Sequence, residues 1–178
     1  LPLGSPQLFI FNEDLFFPDA SKYIQGVKLL PVSHVRAVAT IKMTNYAFPV
    51  YLSGDWKATG AEDVLYYHEG FVSESSRSNI FIVKDGAIST PNHDILYGIT
   101  RKQVIQVAEN VAERPISLDE LLCADEVFMT STTKRILPVT TLADKKVNAG
   151  RVGPVTQMLM ERFRKMEAQW IADQAPTH

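Results

Sequence analysis

Between Val64 and Thr90 the chain compresses four strand-length apolar segments into twenty-seven residues. Val64 to Tyr67, Phe71 to Ser73, Ile80 to Lys84 and Ala87 to Thr90 are rich in β-branched and aromatic residues, and turn formers separate them. Asp85-Gly86, between the last two, is a strong two-residue hairpin signal, because both positions tolerate positive φ. Further strand patterns cover Leu8 to Phe11, Val27 to Val32, Arg36 to Thr40, Glu126 to Thr130 and Ile136 to Thr140. Pro31 lies at an edge or between two of these runs.

Helices punctuate the strands without strict alternation. Asp19 to Gly26 reads as a turn or short helix. Asn45 to Gly60 reads as a helix with Pro49 in its first turn and Gly60 closing it. Thr100 with Gln103, and Ser117 with Glu120, form capping-box patterns. The first opens a helix carrying Val104, Ile105, Val107, Ala108 and Val111 on one face, and the second a short helix ending near Cys123. Val155 to Ala172 is amphipathic, with Val155, Met158, Leu159, Phe163, Met166 and Trp170 inward. The predicted class is mixed α/β, with a barrel-like or α+β core and not a doubly wound sheet.

A chain of 178 residues with 46% hydrophobic content can bury a sizeable core in one domain, or one and a fraction. A net charge of −2 offers no basic field for nucleic acid. Apolar runs are of strand length, too short for a membrane-spanning helix. The N-terminus lacks a basic-then-apolar leader pattern. The single cysteine, Cys123, cannot form an internal disulfide, which fits a cytoplasmic setting. No metal site is expected.

Four segments carry candidate chemistry. Lys42 follows apolar Ile41 at a strand-to-helix junction, where desolvation makes an amine reactive. Glu74 ends a strand thirty-two positions later, among the small residues Ser75, Ser76 and Ser78. A lysine amine and a carboxylate are what pyridoxal phosphate needs from a protein: one holds its aldehyde, the other keeps its ring nitrogen protonated. Gly98-Ile99-Thr100-Arg101 joins a flexible backbone to a helix start, a ready cradle for phosphate. Thr130-Ser131-Thr132-Thr133 puts four hydroxyls at a strand end. Taken singly, each also fits an ordinary surface lysine, turn or cap.

Taken together, they carry a specific resemblance. The motifs are Ile41-Lys42-Met43-Thr44-Asn45-Tyr46, Val72-Ser73-Glu74 through Asn79-Ile80-Phe81, and Lys84-Asp85-Gly86 leading to Thr90-Pro91. Further along come Ile95-Leu96-Tyr97-Gly98-Ile99-Thr100-Arg101, Asp125 through Thr133, and Gly150-Arg151-Val152-Gly153-Pro154-Val155-Thr156. From Gln7 to the final helix the chain resembles the C-terminal domain of class IV, fold type IV pyridoxal-phosphate aminotransferases. That group includes branched-chain aminotransferases, D-amino acid aminotransferases and aminodeoxychorismate lyases.

The resemblance implies a barrel-like domain over residues 7–174, a linker or cloning remnant over 1–6 and a tail over 175–178. It implies pyridoxal 5'-phosphate as cofactor. Lys42 would hold the cofactor aldehyde and shuttle the proton, Glu74 would pair with the ring nitrogen, Tyr46 would approach the ring hydroxyl, and Leu96 would pack on the ring. Ile99 through its N–H, Thr100, Ser131 and Thr132 would hold the phosphate. Thr132 and Thr133 would face the substrate carboxylate.

Two departures stand out: Arg77, where relatives are small, and Lys134-Arg135, where relatives often carry a small residue and an acid. Arg77 would bind a substrate carboxylate, contact the phosphate or point to solvent. The implied activity moves an amino group between a branched-chain or apolar amino acid and a 2-oxo acid, in a homodimer. D-amino acid transamination and aminodeoxychorismate cleavage are the alternatives. An N-terminal domain that completes such sites would lie outside this chain, so an inactive C-terminal fragment is the reading from another class.

Overall fold

Asp85 and Gly86 both take positive φ, 49° and 77°, as the tight turn between two antiparallel strands demands. The computed structural model describes residues 4, 5 and 7–174. Its helices are α1 (Ala20–Gln25), α2 (Ala47–Ala58), α3 (Ile99–Ala108), α4 (Leu118–Leu122) and α5 (Pro154–Gln174). Its strands are β1 (Val27–Ser33), β2 (Asp63–His68), β3 (Phe71–Ser75), β4 (Asn79–Lys84) and β5 (Ala87–Thr90), then β6 (Val111–Glu113), β7 (Glu126–Ser131), β8 (Arg135–Leu142) and β9 (Lys145–Lys146).

Six of these strands close into a barrel in the order β3-β2-β1-β8-β7-β4, and the pairing of Glu74 with Asn79 joins β3 back to β4. β1 runs parallel to both β2 and β8, whereas the other barrel pairs are antiparallel. A parallel neighbour needs a crossover, and the segment containing α2 supplies it between β1 and β2. The mixed barrel expected from the sequence is therefore the observed one.

Alternation along each strand sorts the core into two clusters. Leu29, Leu65, Val72, Ile80, Ile82, Val127, Met129, Leu137 and Val139 come from all six barrel strands and pack together as the interior. Their neighbours Phe81, Val83, Phe128 and Ile136 turn outward, where Val104 of α3 with Leu159 and Phe163 of α5 cover them. Phe81 and Phe128 are register partners, and their rings stack at 4.9 Å. Each such side chain contributes on the order of 2 kcal/mol by leaving water.

The start of α5 is fixed from a distance. Buried Glu126 of β7 accepts hydrogen bonds from the N–H of Val155 at 3.0 Å, the N–H of Thr156 at 2.7 Å and the Thr156 hydroxyl at 2.7 Å. A carboxylate there satisfies free helix donors and complements the helix dipole. Gly153 makes room for it, since a Cβ at that position would collide with the Glu126 carboxyl group.

Several sequence expectations need correction. Leu8 to Phe11 form no strand and stay exposed, because apolar β-prone residues make a strand only where a ladder is available. Arg36 to Thr40 turn instead of extending: Val38 takes φ 52°, and the Arg36 side chain is drawn toward Glu74. No capping box opens α3; its N-cap is Gly98, without a side-chain bond, and Thr100 lies inside the first turn. Ser117, in contrast, does accept from the Glu120 N–H at 3.0 Å. Val111 belongs to β6, not to α3. On α5, Met158 and Trp170 face solvent: Met158 lies about 100° around the helix from buried Leu159, and Trp170 lies two turns beyond buried Phe163. Of the proposed linker and tail, residues 1–3, 6 and 175–178 lie outside the described residues.

Candidate active site

Three aromatic rings set the direction of the segment bearing Lys42. His34, just beyond β1, stacks on Phe48 in the first turn of α2 at 3.9 Å. Its ring also meets Tyr66 of β2 edge-on at 4.9 Å. Burial and nearby Arg36 hold the His34 imidazole below its usual pKa, favouring the neutral form that stacks. Burial likewise pushes the Tyr66 phenol up to about 12, and its hydroxyl has no partner among the described residues. With α2 pinned there, Lys42 and Tyr46 both line a cavity of about 240 Å³.

Glu74 lies in the same cavity, 4% exposed, near the end of β3 before the β3–β4 connection. Its Oε1 accepts from Arg36 Nε at 2.7 Å, and its Oε2 from the Leu96 N–H at 3.0 Å. Burial pushes the carboxyl above its ordinary pKa, while the Leu96 N–H, Arg36 and Lys42 pull it back. Arg36 Nη2 also donates to the Ala39 carbonyl at 2.6 Å, so the arginine ties the turn before Lys42 to the carboxylate.

Leu96, Ile99 and Thr100 line the cavity from the loop into α3, and Ser131 and Thr132 from the end of β7. Asn79 orders that loop: its Nδ2 donates to the Leu96 carbonyl at 2.7 Å. Gly98 is needed where it sits, because an added Cβ would come within 2.5 Å of Asn79 Oδ1. The first N–H groups of α3 have no helix partner, so they remain available to an anion. Arg77 completes this wall, its guanidinium 4.6 Å from the Tyr46 ring centroid. Thr133, the remaining expected residue, does not line the cavity.

Sequence reading missed Arg36, whereas Ser78 and Thr130 stand in segments it had singled out without giving either a role. Arg36 was hidden inside a presumed strand, although a cation shortly before Lys42 was a usable signal. Ser78 and Thr130 line the cavity with buried hydroxyls that have no hydrogen-bond partner among the described residues. Unpaired buried hydroxyls cost free energy unless a ligand or water satisfies them. Together with a helix start lacking a side-chain cap, they fit a polar, phosphate-bearing group. Among the described residues no cluster suited to a metal ion is found.

A mixed six-stranded barrel thus brings a lysine, a buried carboxylate, an uncapped helix start and a hydroxyl-rich strand end to one cavity. The family model described as amino-transferase class IV matches residues 2–142, and the chain belongs to that family. It is 34% identical over 151 residues to a branched-chain-amino-acid aminotransferase of Pseudomonas aeruginosa, covering 78% of this chain and 49% of that protein. It is 31% identical over 160 residues to a D-alanine aminotransferase of Bacillus licheniformis, covering 86% and 56% respectively. A branched-chain amino acid aminotransferase from T.th., solved with pyridoxamine 5'-phosphate, superposes with a TM-score of 0.78 at 31% identity. That match covers 86% of this chain and 54% of the other. The chain thus spans about half the length of these relatives.

Proposed function

We propose that this chain is the cofactor-binding domain of a pyridoxal-phosphate-dependent aminotransferase. The observation that carries the reading is the convergence of Lys42, Glu74, Thr100, Ser131 and Thr132 on one cavity. Pyridoxal phosphate, when bound, supplies an electron sink that acidifies the Cα–H of an attached amino acid. Lys42 would hold the cofactor through its amine and, once a substrate amine has released that amine, would serve as the base and acid that moves the substrate proton. Glu74, fixed by Arg36 and the Leu96 N–H, would pair with the ring nitrogen and keep it protonated. The N–H groups at the start of α3 and the hydroxyls of Thr100, Ser131 and Thr132 bind the phosphate. Tyr46 would approach the ring hydroxyl, Leu96 would pack against the ring, and Thr132 would face the substrate carboxylate, a role that Thr133, outside the cavity lining, does not share.

Substrates in this reading are an amino acid, branched-chain or otherwise apolar, and a 2-oxo acid. The homodimer rests on the family likeness, and a cytoplasmic setting is in keeping with the one cysteine of the sequence, Cys123, being free. Among the described residues no helix is long and apolar enough to cross a membrane. The Thr130 to Thr133 run is equally compatible with D-amino acid substrates, and the D-alanine aminotransferase likeness keeps that second reading in view. The deciding experiment offers L- and D-amino acids and aminodeoxychorismate to the cofactor-loaded protein and measures 2-oxo acid release. Release from L-branched-chain substrates, lost in Lys42→Ala, is expected. Release from D-substrates alone, or pyruvate from aminodeoxychorismate, would shift the assignment within the family. No turnover, with no cofactor bound, would favour an inactive C-terminal fragment.

A further inference from the structure

Arg101 follows Thr100 in the first turn of α3 and is only 4% exposed, yet it does not line the cavity. A cation at that place runs against the helix dipole, which favours negative charge near a helix start. A buried charge also costs free energy unless hydrogen bonds and a counter-charge offset it. Arg101 Nη2 donates to the Pro91 carbonyl at 2.9 Å and to Glu113 Oε2 at 2.8 Å. Its Nε is buried without a partner among the described residues.

Both acceptors belong to the sheet edge from which the loop into α3 departs. Pro91 directly follows β5, and Glu113 is the last residue of β6, in register with Thr90 of β5. Arg101 therefore fastens the first turn of α3 to that edge, while Asn79 of β4 holds the Leu96 carbonyl. The Tyr97 hydroxyl donates to the Asn92 carbonyl at 3.0 Å and braces the loop itself. Ile99 and Thr100, which do line the cavity, lie along the chain between Leu96 and Arg101. Their places are set by Asn79 on one side and by Arg101 on the other.

Building on the aminotransferase reading above, we propose that Arg101 and Glu113 are a positioning pair for the cofactor phosphate. Arg101 acts through the Ile99 N–H and the Thr100 hydroxyl, and Glu113 acts through Arg101. Position and field make opposite demands on Glu113. A guanidinium acting only by its charge would attract a phosphate dianion more strongly once the carboxylate beside it is removed. A guanidinium acting by position loses its anchor with that carboxylate, and the phosphate donors leave their places.

The test titrates the apoprotein with pyridoxal 5'-phosphate and with pyridoxal, which lacks the phosphate, and takes the ratio of the two affinities by absorbance. Arg101→Gln is expected to lower the ratio about tenfold, the weight of one charge-assisted hydrogen bond. Glu113→Ala should lower it about fivefold, and Glu113→Gln, which keeps an acceptor for Arg101, should stay within about twofold of wild type. Pyridoxal affinity should be unchanged in all three, whereas a merely structural role would weaken both ligands together. The Glu113 side chain is 46% exposed on a short strand, so its variants decide the matter even if Arg101→Gln does not fold. A ratio raised in Glu113→Ala would assign the pair to the field, and an unchanged ratio, or equal weakening of both ligands, would make it structural; each overturns the proposal. Wild type that carries no borohydride-fixable cofactor on Lys42 would overturn the aminotransferase reading, and the proposal with it.

Discussion

Arg36 Nε lies 2.7 Å from Glu74 Oε1, so a buried carboxylate at the barrel mouth is paired with a cation from the turn that leads to Lys42. The turn that leads to Lys42 is therefore tied to Glu74 through one ion pair and, by Arg36 Nη2, to the Ala39 carbonyl.

Arg36→Gln should raise the Glu74 pKa further. Burial already holds it above the ordinary carboxylate value, and Arg36 is among the groups that oppose that shift. The sign for stability follows: a folded-state pKa above the unfolded one makes ionised Glu74 a cost at neutral pH, relieved as pH falls through the folded midpoint. Carbon-13 NMR titration of the Glu74 carboxyl, assigned by its loss in Glu74→Gln, measures the midpoint in both proteins. An unchanged or lower midpoint in Arg36→Gln would break the link.

Gly98→Ala should weaken cofactor binding. The added Cβ would sit 2.5 Å from Asn79 Oδ1 and displace the side chain that holds the Leu96 carbonyl. The Leu96 N–H would then leave Glu74, and the start of α3 would shift. A loss of about tenfold in pyridoxal phosphate affinity is expected, equivalent to one good hydrogen bond. Fluorescence titration of the apoprotein checks it, and wild-type affinity would mean the loop adapts.

Glu126→Ala should destabilise the domain without touching the cavity. It removes three hydrogen bonds at the start of α5 and leaves their donors unsatisfied. The expected cost is about 2–3 kcal/mol, the upper end for a lost helix cap plus buried unpaired donors. Gly153→Ala should act in the same direction, through collision with the same carboxylate. Urea unfolding of both variants measures it, and a midpoint equal to wild type would dismiss the cap.

Legibility in the sequence followed locality. Asp85-Gly86 and the strands around it were readable because turn chemistry and alternation act over neighbouring residues. Lys42, Glu74, Thr100, Ser131 and Thr132 were readable because their motifs are compact, although only folding brings β3, α3 and β7 to one cavity. Arg36 was not, since it lies outside any strand and its partner is thirty-eight positions away on β3. Glu126 was likewise opaque as the cap of a helix twenty-nine residues on. Leu8 to Phe11 misled because their composition specifies a preference for strand but not the partner that would realise it.

Covalent attachment at Lys42 is the most direct measurement. The protein is loaded with pyridoxal phosphate, reduced with borohydride, digested and mapped by mass spectrometry. The reduced cofactor is expected on the peptide containing Ile41-Lys42-Met43, and Lys42→Ala should carry none. Label on a different lysine, or equal labelling of wild type and Lys42→Ala, would contradict the assignment of this cavity as the cofactor site.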